Sequence, residues 1–453
     1  MTPPPAPPAA ATPVVRAGRG QFALLRERRF LPFFLTQFCG ACNDNLFKNA
    51  LLVMLVSGTV ARERVDILVN LAAGLFILPF FLLSPLAGQL ADKYDKARLI
   101  RWIKLAEIAI MLLAAIAFQA HAWEALLALL FAMGVHSTFF GPLKYAIMPQ
   151  HLAPEELVAG NAQVGMGTFV AILLGTVGGA LLAGHHRPES AIGLAVILVA
   201  VAGWFASRAI PAAPAAAPEL RLDWHPLRQF AALYRQTAPQ RTVLVAIVGI
   251  SWFWALGASY LTQMPHFALS VLGGKPPVLA LLLSMFVIGV AAGALLSARL
   301  SGPRVRIGLV PLGAIGLSLC GGDLSLAAAA IGTATRPLGP LALAEHLPVL
   351  RILADILMLG VSGGLYAIPL YAHVQACTEP DRRARVIAFN NILNALFMVA
   401  ASALGMALLG FVGMGMARFF LVLALLNAVA AVLLFARAPE YVADARAWVT
   451  GRT

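Results

Sequence analysis

The sequence predicts an all-α polytopic membrane protein: twelve transmembrane helices in two six-helix pseudo-repeat halves. Composition is the first observation behind it. Hydrophobic residues make up 60% of the 453 and charged residues 12%, against about 45–50% and about 25% in a soluble globular chain. Second, apolar stretches near the roughly 20 residues that cross a hydrocarbon core about 30 Å thick recur near 31–57, 66–88, 99–119, 123–145, 162–184, 190–209, 242–263, 278–300, 306–329, 350–376, 386–411 and 416–437. None sustains a period of two, which excludes a β-barrel. Third, basic residues crowd alternate loops.

Residues 1–29, opening MTPPPAPPAAATPVVRAGRG, are rich in Pro and Ala and lack the apolar run of a signal peptide. They read as a disordered tail. Residues 30–209 hold six spans dominated by Leu, Ala, Val, Ile, Gly and Phe. Residues 210–241 form the longest polar, Pro-rich break, beginning IPAAPAAAPELRLDWHPLRQ, and read as a linker. Residues 242–437 hold six more spans, and 438–453 form a second tail.

The net charge is +13. It lies on loops rather than on one face of a soluble domain, so no nucleic-acid partner is expected. One side collects Arg16, Arg19, Arg26, Arg28 and Arg29, then Lys93, Lys96, Arg98, Arg101 and Lys104 of a 92–104 loop. The linker's Arg221, Arg228, Arg235 and Arg241 join them, followed by Arg299, Arg304, Arg306, Arg382, Arg383 and Arg385. The positive-inside rule puts that side, and both termini, in the cytoplasm. Cys39 and Cys42 have CxxC spacing, but on a membrane helix they read as small residues for close packing, not as a redox or metal pair. No cofactor is implied.

The halves echo each other. AGQLADKYDKARLI (87–100) follows the second span, and AGALLSARLSGPRV (292–305) follows the eighth. Two six-helix halves related as parallel repeats are the arrangement of the major facilitator superfamily, whose substrate path lies between the halves near the midplane. GQLADKYDKAR (88–98) resembles that superfamily's loop signature, Gly-x-Leu-Ala-Asp-(Arg/Lys)-x-Gly-(Arg/Lys)-x-(Arg/Lys), with Asp95 in place of the second Gly. Gly88, Asp92, Lys93 and Arg98 are the expected gate. Gly88 permits close helix contact, and Asp92 can meet a helix N-terminus or an arginine of the other half. The alternative is a solvated basic loop.

QFCGACNDNLFKNA (37–50) places Asp44, Lys48, Asn43, Asn45 and Asn49 inside the first span. A charge at mid-membrane costs about 2.5–3.5 kcal/mol on insertion scales. Asp44 and Lys48 are four residues apart, so on a helix they share a face and can pair. Gln37 extends that face. Such a stripe must look into the bundle or a water-filled cavity. It is either a structural ion pair or a headgroup or ion site. His136, Ser137, Thr138, Lys144 and Tyr145 of the fourth span, Asn161, Gln163 and Thr168 of the fifth, and Asn390, Asn391 and Asn394 of the eleventh are candidates for the same cavity. Trp252 and Trp254 are discounted as interfacial belt residues. His136 reads as a satisfied helix histidine. Glu107 and Asp355 either face the cavity or pair with Lys104 and Arg351.

TQFCGACNDNLFKNALLVML and FFGPLKYAIMPQHLAPEELVAGNAQVGMGTFVAILLGTVGG resemble the lysophospholipid transporter branch of the superfamily. The closest form is the one fused ahead of a phospholipid acyltransferase and an acyl carrier protein synthetase. The resemblance implies a secondary transporter that carries lysophospholipids, mainly 2-acyl-glycerophosphoethanolamine, inward across the bacterial inner membrane by alternating access. It implies Asp44 and Lys144 as headgroup contacts, carboxylate to ammonium and ammonium to phosphate. Asn45, Lys48, Asn161 and Gln37 complete the expected binding set. The expected partners are the lysophospholipid and membrane lipids, with any acyltransferase a separate protein, and the expected state is a monomer. One departure stands out: the family often has a glutamate where this chain has Gly165.

The competing reading is an ion-coupled exporter of drugs or small amphiphilic solutes. An embedded enzyme is not expected, because no HxxxxD occurs and the histidines are scattered. No P-loop appears, so ATP does not drive the transport expected here.

Overall fold

The computed structural model describes residues 22–56, 62–184, 189–302, 304–331, 339 and 347–451. Residues 1–21, most of the expected disordered tail, lie outside the described residues. The rest of that tail is ordered: a single turn, Ala23–Arg26, buries Leu24.

The architecture is helical throughout. The first half comprises α1 (Leu31–Met54), α2 (Arg62–Lys93), α3 (Lys96–Gln119), α4 (Trp123–Ala146), α5 (Leu157–Gly184) and α6 (Glu189–Arg208). The linker carries α7 (Pro226–Thr237). The second half comprises α8 (Arg241–His266), α9 (Pro276–Ser301), α10 (Leu309–Ala329), α11 (Leu347–Cys377), α12 (Arg383–Gly405) and α13 (Met416–Arg437), and α14 (Glu440–Val449) closes the chain. Among the described residues, ten helices are long and apolar enough to cross a membrane. The places of the first and third expected spans are taken by α1 and α3, 24 residues each, which carry Asp44 and Lys48, and Lys104 and Glu107.

Each half is held by close helix packing, which without a hydrophobic driving force in lipid rests on small residues. Helices α9 and α11 show it: a methyl on Gly293 would strike the Val361 carbonyl, and one on Gly364 the backbone at Gly293 and Ala294. The halves meet most extensively along α2 with α12 and α5 with α9, and also where α4 packs on α12 and α5 on α11. Where α5 packs against α9 and α11, Val158, Ala162, Ala294, Ile368 and Ala372 are buried.

Three sequence expectations are corrected here. Lys104 is not a loop residue: it lies in α3, wholly buried. The 210–241 segment is not a bare linker. Its Pro-rich start folds onto the 92–96 loop, where the Asp92 carbonyl accepts from Ala216 N–H and Ala217 N–H at 3.0 and 2.9 Å. Its QFAALY stretch forms α7, which begins on Pro226, a residue suited to a first helical turn. The 438–453 tail likewise forms α14, which buries Tyr441 and docks where Asp444 Oδ2 accepts from Gly308 N–H at 2.6 Å.

Candidate functional site

A cavity of about 430 Å³ lies between the halves. Its polar wall carries Gln37, Asp44, Asn45 and Lys48 of α1, His136, Ser137 and Lys144 of α4, Thr168 of α5, and Asn391 and Asn394 of α12. Its apolar wall carries Phe76, Ile77, Phe80, Phe140, Ile172 and Met398. Five of the six expected binding residues therefore share one chamber.

Of the two readings of the stripe, the structural ion pair is not made: among the described residues no ion pair joins Asp44 and Lys48. Asp44 Oδ2 accepts from Ser137 Oγ at 2.7 Å, and Asp44 Oδ1 is buried with no hydrogen-bond partner. The Lys48 ammonium lies 5.9 Å from the Phe76 ring centroid. Lys144 Nζ donates to Thr168 Oγ1 at 2.7 Å, and that hydroxyl lies 3.0 Å from Gln37 Oε1. Gln37 Nε2 is buried without a partner. Two ammonium groups without a carboxylate partner thus face one carboxylate with a spare oxygen. A helix-sharing pair is free to form, but a second helix supplied Asp44 with a hydroxyl instead.

A second cluster lies behind this wall. Lys104 Nζ donates to Glu107 Oε2 at 2.6 Å, Asn43 Nδ2 donates to Glu107 Oε1 at 2.7 Å, and His136 Nε2 lies 3.2 Å from Glu107 Oε2. Both charged side chains are 0% exposed. The packing alternative thus holds for Glu107. It fails for Asp355: Arg351 pairs with Asp323 instead, and Asp355 Oδ2 is buried without a partner.

Asn161 does not line the chamber. It exchanges two amide hydrogen bonds with Gln375 of the other half, at 2.7 and 3.0 Å. It borders a small void of about 30 Å³ with Gly165, Phe169 and Gly364. Its position near the start of α5 puts it nearer the 92–96 loop than Thr168, and there the halves touch. Gln375, the lone glutamine of α11, was the signal missed. Trp254 is no belt residue either: it lines the chamber and donates to Tyr371 Oη at 2.8 Å.

Toward the 92–96 loop, three cross-half contacts close the chamber in succession. Tyr145 stacks on Tyr371 with centroids 4.4 Å apart, Asn161 pairs with Gln375, and then comes the loop itself. Gly88 lies so close to α12 that a methyl there would meet Ala388, and the Arg385 and Ala384 backbone. The Asp92 carboxylate accepts from Ala384 N–H at 3.0 Å, Arg385 N–H at 3.2 Å and Arg385 Nε at 3.1 Å. These are the open donors of α12's first turn, where a negative charge is favoured. Lys93 Nζ donates to the Leu220 carbonyl at 2.8 Å, tying the linker to the loop. Arg98 differs from expectation. Its side chain is exposed, and its backbone N–H donates to Asp95 Oδ1 at 2.7 Å. Asp95, the departure from the signature, caps α3 with that bond and holds the linker through Ala213 N–H at 3.0 Å.

The sequence profile of the Major Facilitator Superfamily matches residues 33–335. The chain belongs to that superfamily. It is 26% identical over 357 residues to the lysophospholipid transporter LplT of Serratia proteamaculans, covering 78% of this chain and 81% of the relative. The LplT of Yersinia enterocolitica matches at 26% over 357 residues, covering 78% and 80%. Among solved structures, the human organic anion transporter MFSD10 (TETRAN) superposes with a TM-score of 0.71 at 17% identity, covering 90% of this chain and 99% of that one. A bacterial homologue of the iron transporter ferroportin, in an outward-facing state with soaked iron, gives 0.61 at 16%, covering 93% and 99%. These two likenesses show the fold alone. This is a membrane transport protein.

Proposed function

We propose that this chain moves lysophospholipids, 2-acyl-glycerophosphoethanolamine first among them, inward across a bacterial inner membrane by alternating access. The observation that carries the reading is the charge pattern of the chamber: Asp44 with a spare buried oxygen, and Lys48 and Lys144 with no carboxylate partner. A zwitterionic headgroup complements it, ammonium to Asp44 and phosphate to the lysines. The Phe76, Phe80, Phe140 and Met398 wall offers an acyl chain an apolar surface beside the polar one. The names of the LplT relatives support the same cargo.

In this reading Gly88, Asp92 and Lys93 form the latch of the cytoplasmic gate. The halves, 30–209 and 242–437, rock about the chamber while the 210–241 segment ties them together. Both termini are cytoplasmic, since the 92–96 loop lies on the basic side. The chain acts as a monomer, and the lipid it delivers is a substrate for reacylation by an acyltransferase.

The test is uptake of labelled lysophosphatidylethanolamine into spheroplasts expressing the parent chain, Asp44→Asn or Lys144→Ala. The expected result is uptake by the parent and loss in both variants. Uptake no greater than with an empty vector would overturn the lipid reading in favour of the small-solute exporter.

A further inference from the structure

The linker helix α7 fastens the two halves where the latch closes. Its buried face is Gln229, Leu233 and Thr237. Gln229 hydrogen-bonds to Gln89 of α2, Gln89 Oε1 also accepts from Asp223 N–H at 2.8 Å, and Phe230 meets Phe389 of α12 with centroids 5.2 Å apart. One short helix thus touches α2 of one half and α12 of the other, one turn from Asp92 and Arg385.

Its opposite surface is apolar and bare. Leu227 is 85% exposed, Trp224 just before the helix 69%, and Tyr234 50%. At about 100° per residue, Leu227, Ala231 and Tyr234 fall within about 60° of one another. Phe230 borders that stripe on one flank and Arg228 and Arg235 on the other. The bare stripe therefore continues sideways from the packed one. The segment 219–241 carries Arg221, Arg228, Arg235 and Arg241 against Glu219 and Asp223, four positive minus two negative, or +2. Leu and Tyr on one face, an exposed Trp just before the helix and arginines at the edge are the pattern of a helix lying in a membrane interface. An anionic leaflet attracts such basic segments.

We infer that α7 docks its Trp224–Leu227–Tyr234 face on anionic phospholipid headgroups beside the latch, so that leaflet charge favours the closed gate. The inference rests on the orientation of the chain and not on its cargo, so its test needs no substrate.

A nitroxide on Leu227→Cys, in a chain with Cys39, Cys42, Cys320 and Cys377 changed to Ala, reads the surroundings of α7. In bilayers containing phosphatidylglycerol the label should collide several-fold more with oxygen than with a water-soluble nickel chelate. In pure phosphatidylcholine that preference should weaken. A label equally open to the chelate in both bilayers overturns the proposal, as does shielding that depends on protein concentration, which would mean a second copy. The parent chain gives an independent readout should the cysteine-free chain fail to fold. Tryptic cleavage after Arg235 should slow at least several-fold in phosphatidylglycerol bilayers relative to phosphatidylcholine, and Arg221→Gln with Arg228→Gln, which brings the segment to zero net charge and keeps the cleavage site, should remove that difference. Equal cleavage in both lipids overturns it.

Discussion

Two polar clusters begin on adjacent residues of α1 and are built in opposite ways. Asn43 turns inward to Glu107, whose two oxygens are taken by Asn43 and Lys104, with His136 alongside. Every charge there has its opposite, and none is exposed. Asp44 turns the other way, into the chamber, where one oxygen is bound and the other is not. Among the described residues, neither Lys48 nor Lys144 makes an ion pair with a carboxylate. The first cluster is balanced in charge, although Asn43 Oδ1 and the His136 ring nitrogens are buried without a hydrogen-bond partner, and it holds α1, α3 and α4 together. The second is complete only with something else present. Buried charge alone does not distinguish a site from a scaffold; whether each charge meets its opposite does.

The largest expected effect tests the scaffold side. Glu107→Ala leaves Lys104 buried without its carboxylate, an uncompensated charge worth about 3–5 kcal/mol. Folded, monodisperse protein in detergent should fall severely, whatever happens to transport. Next comes the site side: Asp44→Asn keeps the shape and a bond to Ser137, so folded yield should match the parent. Loss of one charge-assisted contact, about 1.5–3 kcal/mol, should weaken headgroup binding about 10- to 100-fold, read as the concentration for half-maximal uptake. If Asp44→Asn lowers yield and Glu107→Ala does not, the assignment of the two clusters is reversed.

A smaller effect is expected at the latch. Asp92→Asn removes the charge facing α12's first turn and Arg385, and an N-terminal charge in a partly buried setting is worth up to about 2 kcal/mol. A thiol-reactive probe entering from the 92–96 side should label a cysteine placed in the chamber faster in this variant, with folded yield little changed. The smallest is Gly165→Ala. Its methyl would meet only the tip of the Ile368 side chain, at 2.9 Å, which a rotamer shift relieves. Uptake within about twofold of the parent is the expected result, since the cost should stay near that of a mild overpacking, roughly 1 kcal/mol.

Much of this was legible in the sequence. The long helices fall close to the twelve apolar stretches, because length and composition dominate in lipid. The chamber was legible through α1, since a helix carrying Asp44, Lys48 and three asparagines cannot face hydrocarbon. What escaped is what depends on a second helix. Whether Asp44 pairs with Lys48 or with Ser137 is decided by where α4 sits. Asn161 looked like a ligand contact because nothing in α5 announces Gln375, more than two hundred residues away. The linker's Pro-rich start hid α7, whose amphipathic pattern runs for only 12 residues. Asp95 looked like a defect in a signature; its cap on α3 and its hold on Ala213 become visible only once the linker is folded back.

Whether Asp44 receives a cationic headgroup is read most directly from a thermodynamic cycle. Binding of lysophosphatidylethanolamine, and of the same lipid N-acetylated to remove its ammonium charge, would be measured on the purified parent chain and on Asp44→Asn. Acetylation should weaken binding to the parent by about as much as the substitution does, and should weaken binding to Asp44→Asn hardly further. Equal losses on acetylation in both proteins would show that the ammonium group and Asp44 do not meet, and would contradict the account.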